Sequence, residues 1–75
     1  MTVNRICRMI PKSKQKAIRE IYEDTDGFWI ILNDGWNADG TDWCGCRTIH
    51  CGGDDETEAS TVEDLKYQIS MIRKL

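Results

Sequence analysis

Long apolar runs are missing from this chain. The longest covers residues 28–32, far short of the ~20 residues that a membrane-spanning helix needs. The N-terminus shows no hydrophobic leader pattern, because Arg5, Arg8 and the lysines from Lys12 onward interrupt it. These two absences predict a cytoplasmic chain with no membrane partner. Histidine occurs once, at His50, and no glycine-rich phosphate loop or pair of catalytic carboxylates can be picked out. Acid–base and nucleophilic catalysis need such groups at hydrogen-bonding range. The sequence therefore predicts neither an enzyme nor a site for a small-molecule substrate. At 75 residues, the chain is also too short for a multi-part nucleotide-binding βαβ fold.

What remains is a single domain, residues 1–75, 40% hydrophobic and 31% charged. Below about 70–80 residues a single core rarely supplies more than about 3–5 kcal/mol, so a further staple is expected. The net charge of −3 hides a strong segregation. Arg5, Arg8, Lys12, Lys14, Lys16 and Arg19 precede every acid. Residues 20–64 hold all 13 acids with Arg47 as the one base, and Lys66, Arg73 and Lys74 follow. A block of this kind is either solvated surface or a negative face that meets a basic partner.

Two turn-rich regions, residues 33–45 and 52–56, divide the chain. Ser60 and Glu63 have capping-box spacing. Val62, Leu65, Ile69 and Ile72 then recur at helical intervals, with Arg73 and Lys74 placed to meet the negative end of the dipole. An amphipathic helix is predicted over about 61–74. Residues 28–32 read as a strand covered on both faces, since the segment barely alternates. Residues 13–23 fit a helix through Ala17, Ile18, Ile21 and Tyr22. However, Asp26-Gly27 is a hairpin signal and favours a strand over about 17–23. A third strand is expected over 47–51 and an N-terminal edge strand over 5–10. The fold class is α+β: a small antiparallel sheet of three to four strands with one C-terminal helix packed on it.

Cysteine usage points to the staple. In a reducing cytoplasm four thiols favour metal or redox chemistry over disulfides. Cys44, Cys46 and Cys51 lie within eight residues of one another, with His50 adjacent and Cys7 distant. Zinc takes four sulfur or nitrogen ligands in a tetrahedron, and its binding energy adds to folding. The expected structural Zn2+ site is Cys7, Cys44, Cys46 and Cys51, with His50 as the substitute for Cys7. Buried, idle cysteines are the plain alternative. A thiol redox pair is a further one, although the C-x-C spacing is not the C-x-x-C of thioredoxin-like proteins.

Trp29, Trp36 and Trp43 recur at sevens and are expected to anchor core and loops, with Trp36 or Trp43 as a candidate hot spot. Asp34, Asp39 and Asp42 lack EF-hand order and read as surface acids. The basic stretch over residues 5–19 could meet phosphates. It has no interleaved aromatics, and the acidic block would repel a nucleic-acid backbone.

Ile21-Tyr22-Glu23-Asp24-Thr25-Asp26-Gly27-Phe28-Trp29-Ile30, then Asp34-Gly35-Trp36, then Thr48-Ile49-His50 resemble small proteins encoded by phages and mobile elements of Gram-positive bacteria. In its small size, acidity and lack of catalytic groups the chain resembles the type II-A anti-CRISPR proteins, which inhibit Cas9. The likeness covers about residues 18–75, and Cys44, Cys46 and Cys51 would fit a zinc-holding member. The resemblance implies stoichiometric blocking of Cas9, or of the Cas9–guide RNA complex, in the cytoplasm of a bacterial host cell. It carries over no catalytic or binding residue by position. The alternative expectation is a zinc-stabilised nucleic-acid-binding or transcription-related module that uses the basic N-terminal stretch.

Overall fold

Alternation along one strand decides the architecture. In the computed structural model, which describes residues 1–38, 47–53 and 57–74, β1 (Ile18–Asp24), β2 (Gly27–Leu32) and β4 (Thr48–Cys51) form an antiparallel sheet in the order β1-β2-β4. On the central strand Phe28, Ile30 and Leu32 are buried, while Trp29 and Ile31 are only half-buried. The expectation of cover on both faces is thus corrected. One face is sealed, and the other is partly open. Apolar residues at every position hid a period of two, because both faces carry large hydrophobic side chains.

Helices seal the first face. The segment α1 (Val3–Met9) buries Ile6 and packs beside β1, and α3 (Glu58–Ser70) buries Thr61, Leu65 and Ile69 and packs beside β4. Ile6, Ile10, Ile30, Ile49, Leu65 and Ile72 belong to one core cluster. A single helical turn, α2 (Lys12–Gln15), links α1 to β1. The edge strand expected over 5–10 is therefore a helix. Thr2 caps it by accepting from Arg5 N at 3.1 Å, and Ile6 and Ile10, four apart, lie on its core side. Seven residues are too few to display that period in the sequence.

The strand over 17–23 is present as β1, and its helical look has a structural cause. The pairing register shifts between Ile18 and Glu20. This bulge places Ile18 opposite Leu32 and Ile21 opposite Ile30, so residues three apart face the same side. At the other end the hairpin turns through Thr25 and Asp26. Asp24 Oδ1 accepts from Asp26 N at 2.8 Å, and Gly27 has φ of 125°.

Helix α3 starts and ends earlier than its pattern indicates. Thr57, not Ser60, is the cap: its hydroxyl accepts from Ser60 N at 3.1 Å. The expected dipole partners Arg73 and Lys74 lie outside the helix. They form β5 (Arg73–Lys74), which pairs with β3 (Trp36–Asn37) in a two-stranded ribbon. Lys14 takes over at the helix end, donating to the carbonyls of Ile69 at 2.9 Å and Ser70 at 3.2 Å. At the start of α3, Glu58 meets the N-terminal amine and Arg5, each at 2.9 Å. Among the described residues no helix is long and apolar enough to cross a membrane.

Two tests follow from these contacts. A Cβ at position 27 would collide with the carbonyl oxygen of Cys51 and lie 2.8 Å from that of Gly52, on a backbone that disfavours L-residues. Gly27→Ala should lower unfolding stability by about 1–3 kcal/mol in urea titrations, whereas Gly35→Ala has open space around its Cβ and should pay only for its positive φ. The second test concerns Glu58. The hydrogen bond from the N-terminal amine, then the charges of that amine and of Arg5, hold its carboxyl below the ordinary value of 4.5. A depressed carboxyl contributes stability that is full above 4.5 and is lost as pH falls through its folded value. Glu58→Gln should therefore narrow the gap in Tm between pH 7 and pH 3, by a small amount because the site is exposed.

Candidate functional site

The hairpin fixes what stands on the open face. Tyr22 pairs with Trp29, and Trp29 with His50, so one row of rings crosses all three strands. Tyr22 and Trp29 stack with centroids 6.4 Å apart and planes 17° apart. Trp29 and His50 are closer, at 4.2 Å and 39°. The next row is Glu20, Ile31 and Thr48. Strand alternation sets Glu20 and Asp24 on the same side as Tyr22, about 7 Å along the strand in each direction.

His50 is held in place by the hairpin. Its Nε2 lies 2.8 Å from the carbonyl oxygen of Asp26, so that nitrogen carries the proton. Its own carbonyl accepts from Gln68 Nε2 at 3.1 Å, and Gln68 also donates to Asp64 at 2.8 Å. The open face is thereby tied to α3 through β4. Trp29 Nε1 is buried and has no hydrogen-bond partner among the described residues. Tyr22 is 37% exposed, and His50 is exposed as well.

Charge is divided between the two layers. Arg5 and Lys14 are engaged by Glu58 and by the end of α3, and Arg47 pairs with Asp34. Arg8, Lys12 and Lys16 are exposed on or next to the helical segment, and Arg19 is exposed at the bulge. Glu20, Glu23, Asp24 and Asp26 are exposed around the hairpin.

The structure places the expected zinc ligands as follows. Cys7 is an exposed free thiol that lines a hollow of about 330 Å³ with Ile10, Gln15, Ile18 and Ile21. Cys51 is buried on the core side of β4, and His50 faces the other side. Strand β2 lies between the strand beside Cys7 and the strand that carries Cys51, a span of about 10 Å across the sheet. Zinc-bound sulfurs, each about 2.3 Å from the metal, sit much closer together. Cys44 and Cys46 lie outside the described residues, among which no three histidine, cysteine or acidic side chains gather at one point.

Of the tryptophans expected to serve as anchors, Trp36 is half-buried against the core and Trp43 lies outside the described residues. The expectation of a hot spot at Trp36 or Trp43 did not consider Trp29, which stands in the ring row. The signal was present, because Tyr22 and Trp29 stand two residues outside the hairpin ends Asp24 and Gly27 and must face each other once that turn is accepted. A second cavity, about 490 Å³, lies beside α3 and is lined by Arg5, Glu58, Ala59, Val62, Glu63 and Lys66. Its mixed charges are on the helical layer, away from the ring row. Comparison with protein families, with curated proteins and with solved structures finds no match to this chain.

Proposed function

We propose that this chain is a non-catalytic inhibitor that acts by stoichiometric contact with a protein, and that its partner is Cas9 or the Cas9–guide RNA complex in a bacterial cytoplasm. The observation that carries the contact reading is the open sheet face, where the row Tyr22–Trp29–His50 is bordered by Glu20 and Asp24. Aromatic residues in such positions supply binding energy at low entropic cost. Acids at the rim accelerate encounter with a basic partner. The identity of the partner follows the resemblance to type II-A anti-CRISPR proteins. Cas9 carries a positively charged channel for its heteroduplex, which an acidic face complements.

The test is cleavage of a target DNA by purified Cas9–guide RNA with increasing amounts of the chain. Cleavage should stop near equimolar ratio at low salt and recover as ionic strength rises. Glu20→Lys with Asp24→Lys should raise the amount needed about tenfold or more, and full cleavage at a large excess of the wild-type chain contradicts the reading. The alternative is nucleic-acid binding through Arg8, Lys12, Lys16 and Arg19, which are exposed and without ion-pair partners among the described residues. A mobility shift abolished by Arg8→Glu with Lys12→Glu would favour it.

We further propose one structural Zn2+ per chain, held by Cys44, Cys46 and Cys51 with Cys7 or His50 as fourth ligand; Cys7 joins the set only by a shift of α1 toward β4, since β2 stands between them. Metal analysis should return close to one zinc per chain, lost with a fall in Tm in Cys46→Ser. Loss in Cys7→Ser or in His50→Ala identifies the fourth ligand. Four freely titrating thiols and no zinc contradict the site.

A further inference from the structure

We infer that the open sheet face is a receptor for an arginine side chain presented by an extended segment of a partner protein, with the guanidinium seated on Tyr22 between Glu20 and Asp24. This deepens the protein-contact reading and rests on it, but not on the identity of the partner. Three observations converge. Tyr22 has an exposed ring backed by Trp29, which stacks behind it at 6.4 Å. A guanidinium is attracted to such a ring within about 6 Å of its centroid. The two carboxylates on the same side of β1 stand about 7 Å to either side, within reach of a planar fork whose five donors pair with carboxylates.

Charge complementarity selects the occupant. Around Tyr22 the exposed charges are Glu20, Glu23, Asp24 and Asp26, and none of them has an ion-pair partner among the described residues. The nearest base on the strand is Arg19, at the bulge, three residues from Tyr22. A nucleic-acid strand stacked on the same rings would bring its phosphates against the carboxylates of Glu20 and Asp24, which disfavours it. Lysine satisfies the charge but does not stack as a plane. β1 is also an edge strand of the sheet, so an extended segment can lie along it while its side chain reaches the ring.

The experiment titrates the intact 15N-labelled chain with a capped peptide of alternating threonine and arginine, and with its lysine and citrulline counterparts. The indole signal of Trp29 is assigned by its absence in Trp29→Phe. The arginine peptide should shift the Trp29 indole and the amides of residues 20–24 in a saturable way. It should bind several-fold more tightly than the lysine peptide, and the citrulline peptide should leave these signals in place. Tyr22→Leu should weaken arginine-peptide binding roughly two- to fivefold, with Tm retained. Glu20→Gln should weaken it independently and make it less sensitive to salt. Equal binding of the citrulline peptide overturns the inference, as do shifts confined to α1 and α2, or tighter binding of a single-stranded oligonucleotide to the same face. Arginine-peptide binding without inhibition of Cas9 would remove Cas9 as the partner and leave this receptor standing. Inhibition of Cas9 without arginine-peptide binding would do the reverse.

Discussion

One-sided cover of β2 is the constraint on which the rest depends. Ile6, Leu65 and Ile69 bring the helical layer to the side of the sheet that carries Ile30 and Ile49. The opposite side keeps Trp29 and Ile31 half-buried. A strand this apolar would normally be enclosed on both faces. Among the described residues this side is covered by ring stacking across the strands, Tyr22 on Trp29 and Trp29 on His50. Large aromatic groups on an open sheet face are a ready surface for contact.

Charge segregation along the chain has a structural use in the same design. The basic N-terminal segment runs beside α3 in the same direction. Its start is fixed by Glu58 at the first turn of that helix, and its end by Lys14 at the last. Contacts between residues more than fifty apart in sequence thus close the helical layer over the core. With Arg5 and Lys14 so engaged, the basic stretch offers fewer groups to phosphates than its composition indicates. Among the described residues the hairpin acids have no comparable ion-pair partners, and they stand exposed.

The parts of the fold that were legible in the sequence are those with a local cause. Asp26-Gly27 marked the hairpin, and the stripe of Leu65 and Ile69 marked α3. The alternation of Thr48, Ile49 and His50 marked β4. What was not legible required a partner far along the chain. The dipole partner of α3 is Lys14 rather than Arg73 or Lys74, because β3 draws those two into a ribbon. The start of α3 differs from the pattern because Thr57 and Ser60 are both good caps, and the helix begins after Thr57 and buries Thr61. The bulge at β1 disguised a strand as a helix face. The aromatic row was within reach of the register argument but was obscured by reading Trp29 as core.

In the proposed mode of action the open face, and not the basic helical layer, meets the partner. Hydroxyl-radical footprinting of the chain, alone and bound to Cas9–guide RNA, tests it most directly. The chain supplies its own control, since Tyr67 on the outer side of α3 is 64% exposed. Oxidation of Tyr22 should fall sharply in the complex while that of Tyr67 is unchanged. Undiminished oxidation of Tyr22, with protection at Tyr67 or at Met9 of α1, would contradict it.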